Sequence, residues 1–219
     1  MARTAFDSEL EHLHVDLMKM GALIEQAITN SIKAFLDNDD ELARETAQSD
    51  RAVNDMERSI EARALSLMLK QQPVACDLRS ISAALKVVTD MERIGDHAVD
   101  IADLILRFTL QKSTRKLPHV TQMAQLAKYM VNQSVSAFTT GDLVMAAEIE
   151  KKDDEMDLLF NEAKNDIIAS LRTDHADVDA CVDLLMIIKY FERIGDHAVN
   201  ICEWAEFQKN GTLKNERLL

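Results

Sequence analysis

Glycine and proline are scarce in this sequence. Its 219 residues contain 5 Gly and 2 Pro, whereas average usage would give about 15 and about 11. Folds with many tight turns depend on these residues, so β-sandwiches, barrels and propellers are disfavoured. Aromatic residues are also few, at 5%, but hydrophobic residues make up 47% of the chain. That is enough to bury a core, which excludes collagen-like and disordered chains.

Basic residues are outnumbered by acidic ones. The chain has 38 Asp and Glu against 25 Lys and Arg, which gives a formal net charge of −13. Nonspecific nucleic-acid binding needs clustered Lys and Arg, so we expect no nucleic-acid partner. The excess of acid therefore needs another explanation.

Long apolar runs are absent as well, and we expect no signal peptide. The longest run, Leu184 to Ile188, is far shorter than the roughly 18 residues of a spanning helix, and the N-terminus lacks the pattern of a signal peptide. Cys76, Cys181 and Cys202 form no C-x-x-C motif, which disfavours disulfides and thiolate zinc sites. We expect three cysteines in a reduced core, in a cytoplasmic protein that does not insert into the membrane.

The sequence contains an internal duplication. Residues 92–99 and 192–199 both read E-R-I-G-D-H-A-V. Further upstream the offset becomes 103 residues, so that Phe35 corresponds to Phe138 and Asp50 to Asp153. One unit of about 100 residues is thus used twice. We expect the two repeats to span residues 1–112 and 117–210, with Pro118 near the joint.

Each repeat is predicted to form three long helices. The pairs Asn38-Asp39 and Gly141-Asp142 end the first helix and offer an Asp cap to the second. Asp77 and Asp177 are predicted N-caps of the third. The predicted helices are 5–37, 40–71, 77–110, 118–139, 142–172 and 177–208. The fold class is therefore all-α, with two three-helix units that lie side by side or merge into one bundle.

The third helix of each repeat carries unusual patterns. In the first repeat its core stripe includes Gly95, which predicts a close helix crossing, because Gly within a helix costs about 1 kcal/mol relative to Ala. Ile94, Ile101 and Ile105 lie on the opposite side, which predicts a central helix or an interface. This second apolar side and the 11 Met leave room for a homodimer.

Acidic residues line one edge of the third helix. Like charges at i,i+4 repel each other, so such a row needs a counter-charge. Solvent with neighbouring Lys or Arg is one explanation, and a hard metal cation is the other. In the first repeat the row is Glu92, Asp96, Asp100 and Asp103; in the second it is Glu192, Asp196, Asn200 and Glu203. The second helix has matching i,i+4 pairs, Asp50 with Asn54 and Asp153 with Asp157.

Two further side chains accompany each acidic row. Arg93 and Arg193 flank the rows and are placed to pair with the outer acids. His97 and His197 point away from the rows, and we expect them at the surface or in capping positions.

These motifs resemble those of the PhoU family. The two E-R-I-G-D-H-A-V segments, Q-Q-P-V-A-C-D-L-R at Gln71–Arg79 and D-x-x-V-N on the second helix carry the resemblance, which covers about residues 6–207. It implies two three-helix bundles related by a pseudo-twofold axis. It also implies a cytoplasmic negative regulator that links the ATPase subunit of the phosphate ABC transporter to a phosphate-sensing histidine kinase.

The resemblance also implies metal binding by the acidic motifs, with iron, zinc, manganese or magnesium as the ion. In the first repeat it assigns this role to Glu92, Asp96 and Asp100 with Asp50; in the second it assigns it to Glu192 and Asp196 with Asp153 and Asp157. Asn54 and Asn200 depart from an all-acid pattern, since an amide oxygen coordinates without charge, and Glu203 is placed to compensate for Asn200.

Two other functions fit an all-α chain less well. A ferritin-like metalloenzyme needs E-x-x-H motifs on separate helices, but Glu9-x-x-His12 and Glu11-x-x-His14 share one helical turn. A histidine phosphotransfer module would use His97 or His197, beside Asp96 and Asp196, where an added phosphoryl group is repelled. The sequence has no Gly-rich phosphate loop and no nucleophile-elbow motif. We therefore predict a non-enzymatic protein.

Overall fold

The described part of the chain is almost entirely helical, as predicted. The computed structural model describes residues 2–71, 73–107, 118–173, 177–213 and 216–217. The helices are α1 Ala2–Asp37, α2 Asp40–Gln48, α3 Asp50–Gln71, α4 Ala75–Arg107, α5 Pro118–Thr140, α6 Leu143–Leu171 and α7 Val178–Asn210. Two residues each of β1 (Thr212–Leu213) and β2 (Glu216–Arg217) pair antiparallel after α7. The predicted repeat limits at 112 and 117 lie outside the described residues.

The second predicted helix is interrupted in the first repeat only. The backbone N–H of Ser49 donates to the Thr46 carbonyl at 3.0 Å, and its Oγ donates to the same oxygen at 2.7 Å. This local pairing ends α2, and α3 starts at Asp50. The prediction of a single helix over 40–71 was therefore wrong, because the helix breaks at Ser49. The equivalent helix of the second repeat, α6, is continuous.

Helix caps follow the sequence signals at three of four positions. Asp39 accepts hydrogen bonds from Glu41 and Leu42, and Asp142 does so from the equivalent backbone N–H groups. Asp177 accepts from the N–H of Ala180. Asp77 is not an N-cap, because α4 begins earlier, at Ala75, which places Asp77 in the first turn where an acid still favours the helix dipole.

The two repeats form one body through their third helices. The contact of α4 with α7 is the most extensive between the described elements, and α1 also touches α5. Ile94, Ile101 and Ile105 are completely buried, although they lie opposite the core stripe of their own repeat. The prediction of a central helix is therefore confirmed. The second apolar side is used within the chain, and the homodimer stays a prediction.

The helix crossing at the repeated E-R-I-G-D-H-A-V segment differs between the repeats. A Cβ atom on Gly95 would lie 3.0 Å from Val53 Cγ1, tighter than ordinary packing. At the equivalent Gly195 the nearest atom, Met156 Cγ, would be 3.4 Å away. The close approach predicted from the glycine is thus present between α3 and α4, and is looser between α6 and α7.

A cross-helix ion pair occupies equivalent places in both repeats with its charges exchanged. In the first repeat Arg63 Nε on α3 donates to Asp16 Oδ2 on α1 at 3.1 Å, and Arg63 Nη1 donates to Glu9 at 2.8 Å. Positions 16 and 63 correspond to 119 and 166. There His119 Nδ1 on α5 donates to Asp166 Oδ2 on α6 at 2.7 Å. The acid and the base have changed helices.

The cysteines are free, and two of the three are in the core. Cys181 and Cys202 are buried, and burial raises the pKa of the Cys202 thiol to about 12. Cys76 is exposed, so its predicted core position was wrong, because it falls in the first turn of α4 before the packed stripe begins. None of the described helices is both long enough and apolar enough to cross a membrane.

Candidate metal centres

Acidic side chains of the first repeat gather between α3 and α4. We call this group cluster 1, and it consists of Asp50, Asn54, Glu57, Glu92 and Asp96. Asn54 Nδ2 donates to Asp50 Oδ2 at 2.7 Å, while Asn54 Oδ1 is buried and accepts no hydrogen bond. This unpaired amide oxygen lies among several carboxylates, so it is an available ligand for a hard cation.

Burial and mutual repulsion raise the pKa values of two carboxyl groups in cluster 1. Burial, followed by the Asp96 carboxylate, raises the pKa of Asp50. Burial, then Asp96, raises the pKa of Glu92, with smaller contributions from Glu57 and Asp50. Arg93 offsets part of this charge, since its guanidinium lies 3.5 Å from Glu92 and 3.2 Å from Asp96, as the sequence predicted. Its side chain is largely exposed, so solvent weakens the pairing.

The second repeat builds the equivalent group between α6 and α7. Cluster 2 consists of Asp153 and Asp157 on α6 with Glu192 and Asp196 on α7. Burial, then the charges of Asp157, Asp154 and Glu192, raises the pKa of Asp153. Burial, then Glu192 and Asp153, raises the pKa of Asp196. Asp153 on α6 therefore repels Glu192 and Asp196 on α7, and Asp157 adds repulsion from the same helix as Asp153.

Each cluster contains a basic side chain that offsets part of its negative charge, and the two basic side chains come from different sequence positions. In cluster 2 it is Lys189, whose Nζ donates to both oxygens of Glu192 and lies 5.5 Å from the centroid of the Phe160 ring. The first repeat has Thr89 at that place and uses Arg93 instead. The two clusters thus lie on equivalent helices but differ in the arrangement of their charged side chains.

Glu57 is a cluster residue that comparison of the repeats did not reveal. Burial raises its pKa, followed by Glu61, and the nearby Asp96 raises it further. Its equivalent in the second repeat is Phe160, so the duplication hides the position. The available signal was its place on the same helix face, two turns after Asp50 and one turn after Asn54.

The donor atoms of both clusters fit a hard cation, although the side chains do not enclose one. Among the residues that the structure describes, no three Asp, Glu, His or Cys side chains converge on one ion position. All the donors are carboxylate or amide oxygens, as magnesium, calcium and manganese prefer and as iron and zinc also accept. An ion would have to draw the mutually repelling carboxylates together.

Asp100 and Asn200 lie in a different place from the rest of the predicted ligands. They belong to a polar group between α4 and α7. The Tyr190 hydroxyl donates to Asp100, and Asn200 Nδ2 donates to Asp90 Oδ1 at 3.1 Å. His197 Nδ1 also donates to Asp90, at 2.8 Å. These contacts hold the repeats together.

His97 belongs to the same polar group, so its predicted surface position was wrong. Its ring centroid lies 5.2 Å from that of Tyr190 and 5.7 Å from that of His197. Burial, followed by the charge of His197, lowers the pKa of His97. The helical angle was right, but that side of α4 faces α7 and not solvent.

The comparison with known families decides the relationship. The PhoU domain model matches this chain twice, at residues 17–105 and 120–205, once in each repeat. The chain is a member of the PhoU family. A PhoU homolog described as a phosphate-specific transport system accessory protein, from Clostridium acetobutylicum, is 37% identical over 93% of this chain and 93% of its own length. A homolog with the same description from Rhizobium meliloti is 30% identical over 95% and 88%.

Solved PhoU structures have the same fold. PhoU from Pseudomonas aeruginosa aligns with a TM-score of 0.87 and 28% identity over 94% of this chain and all of that chain. The phosphate transport system regulatory protein PhoU from Streptococcus pneumoniae also gives 0.87 and 28%, over 95% and 98%. The predicted architecture of tandem three-helix bundles is therefore confirmed.

Proposed function

We propose that this chain is a cytoplasmic, non-enzymatic accessory protein of a phosphate-specific transport system. In this role it couples the ATPase subunit of the phosphate transporter to a phosphate-sensing histidine kinase and restrains the starvation response. The observation that carries the proposal is the match of both repeats to the PhoU domain. Full-length relatives named as accessory proteins of that transport system support it.

The geometry supports an adaptor better than either alternative. A ferritin-like centre would need the N-terminal motif of α1, but Glu9 there binds Arg63. Phosphotransfer needs an accessible histidine, whereas the side chain of His97 is 12% exposed and packs against Tyr190. His197 is held by Asp90. These contacts are structural, and no observation favours a second function.

Metal ions in clusters 1 and 2 would act as ties between helices. Asp50, Asn54 and Glu57 would ligate from α3, with Glu92 and Asp96 from α4; Asp153 and Asp157 would ligate from α6, with Glu192 and Asp196 from α7. The ion would supply positive charge where burial and repulsion now oppose ionisation. The ions would thereby fix the surfaces between the second and third helices that are offered to partners.

The direct test is binding to purified partners. We expect untagged protein to be retained by the immobilised transporter ATPase subunit and by the cytoplasmic part of the sensor kinase. Deletion of the gene should switch on phosphate-starvation genes in medium rich in phosphate. Failure to bind either partner, with unchanged expression, contradicts the adaptor function.

A further inference from the structure

The outer face of α7 changes from apolar to acidic along its length. Val178, Val182 and Leu185 occupy its first half, and Met186 lies beside them. All four are exposed, Val178 by 58% and Val182 by 52%. Exposed apolar side chains grouped on one helix face are a mark of interaction surfaces. In the second half, Lys189, Glu192 and Asp196 continue the same line.

The spacing of this line is that of a helix-pairing seam. The positions 178, 182, 185, 189, 192 and 196 alternate steps of four and three residues. This heptad spacing keeps one side of a helix directed at a partner helix that runs alongside it. A helix is therefore the shape that this face accommodates best.

The fold does not require apolar residues at two of these four positions. The equivalent positions on α4 carry Ser82 and Lys86 in place of Val182 and Met186. Both α4 and α7 are 33-residue helices that carry the same E-R-I-G-D-H-A-V segment. Leu78 and Leu85 keep the apolar character of Val178 and Leu185. Val182 and Met186 are thus the apolar side chains specific to the second repeat, which points to a contact made there.

The charge around the face selects among possible occupants. Asp179 and Asp183 flank the apolar half, and cluster 2 closes its other end. Lys189 already pairs with Glu192, and the remaining charge is acidic. A second copy would bring together two chains of formal charge −13, whereas a basic partner gains from both halves of the face.

We propose that the outer face of α7 binds an amphipathic helix of a protein partner, with apolar side chains opposite Val178, Val182 and Leu185 and basic side chains opposite Glu192 and Asp196. The proposal refines the adaptor function by naming the partner-facing surface. It requires no metal in cluster 2, because free carboxylates suffice for the basic end.

The probe is a fluorescein-labelled helical peptide of about 20 residues. It carries Leu in heptad spacing in one half and Lys in the other, and is made in both orientations. The comparison peptides have Glu in place of Lys. In fluorescence anisotropy with the full chain in EDTA and physiological salt, one Lys peptide should bind at least tenfold tighter than its Glu counterpart.

The decisive variant gives α7 the residues of α4. Val182→Ser with Met186→Lys should weaken the Lys peptide at least tenfold, and Leu185→Gln serves if that protein unfolds. Val144→Ser, which changes a residue that is 73% exposed on α6, should leave binding unchanged. Glu192→Gln with Asp196→Asn should weaken the Lys peptide but not the Glu peptide.

Three results would overturn the proposal. They are equal binding of the Lys and Glu peptides, unchanged binding by the double variant, and self-association in sedimentation velocity that the double variant abolishes while no peptide binds. The last result would assign the face to a second copy. The peptide assay contains neither transporter nor kinase, so a negative result there does not contradict the adaptor function. A failure to bind the transporter subunit and the kinase would contradict the adaptor function without affecting the peptide result.

Discussion

Gly95 and Gly195 are equivalent in sequence but not in surroundings. Replacing a mid-helix Gly by Ala gains about 1 kcal/mol of helix propensity. Gly195→Ala should realise up to about this gain, because its Cβ makes an ordinary contact with Met156. Gly95→Ala should gain nothing or destabilise, since its Cβ meets the buried, β-branched Val53 at 3.0 Å. Urea unfolding of both variants measures the difference, and an equal gain at both sites would contradict it.

The His119–Asp166 pair makes the second repeat sensitive to pH. The hydrogen bond with Asp166, reinforced by the charges of Asp166 and Glu162, raises the pKa of His119 above 6.5. A raised histidine pKa stabilises the folded protein fully below the unfolded value, and the effect is lost as pH rises through the folded value. Asp166→Asn should therefore reduce stability more at pH 5.5 than at pH 8.5.

The first repeat supplies the matched control for this pH effect. Arg63 pairs with Asp16 at the equivalent place, and an arginine stays charged throughout this range. Thermal melts of Arg63→Gln should show a loss of stability that is the same at pH 5.5 and 8.5. A pH-independent loss in Asp166→Asn would show that His119 does not hold its proton as inferred.

At the scale of helix pairs, replacing cluster carboxylates by amides should have opposite effects on protein stability in the absence and in the presence of metal. Glu92→Gln with Asp96→Asn should leave the EDTA-treated protein as stable or more stable, because repulsion with Asp50 falls. The same change should remove the stabilisation by added Mn²⁺ or Zn²⁺, which for intact protein is about 2.7 kcal/mol at 100 times Kd. Glu192→Gln with Asp196→Asn tests cluster 2 in the same way.

The controls for the metal measurement remove charge elsewhere. Glu45→Gln and Glu148→Gln change exposed acids at equivalent positions of the two repeats. They should leave the metal content of untagged protein, measured by mass spectrometry, and the metal-dependent rise in Tm unchanged. If the cluster variants behave like these controls, the acidic rows are solvated faces.

Much of each helix pair could be predicted from sequence because its signals are local. Capping by Asp39, Asp142 and Asp177 needs only a side-chain oxygen beside free N–H groups. Helical spacing likewise brought the acids of Glu92 and Asp96 to one edge. These features depend on a single helix or on two neighbours.

The features that could not be predicted depend on which helix packs against a given helix face. The wheel gave the direction of His97 but not the helix that covers it. Glu57 was hidden because its equivalent is Phe160, and the break at Ser49 arises from a hydrogen bond to Thr46 with no Gly or Pro to mark it. Each of these needed the three-dimensional arrangement.

At the scale of the whole molecule, the buried contact of α4 with α7 predicts one cooperative unfolding transition. Ile60→Ala removes a completely buried side chain of the first repeat and should cost about 2–5 kcal/mol. Trp204, the single Trp, is on α7, so its fluorescence reports on the second repeat. Fluorescence and circular dichroism should shift together in urea. A Trp204 transition that stays in place while circular dichroism shifts would show independent repeats.

The exchanged charges of the two cross-helix pairs bear on how the chain avoids assembling wrongly. Because α1 and α5 occupy equivalent places in the two repeats, each could dock on the second helix of the other repeat. That error would place Asp16 against Asp166 and His119 against Arg63, two acids in one contact and two bases in the other. Correct docking joins opposite charges in both. The exchange of charges therefore favours the docking of each first helix on the second helix of its own repeat during folding.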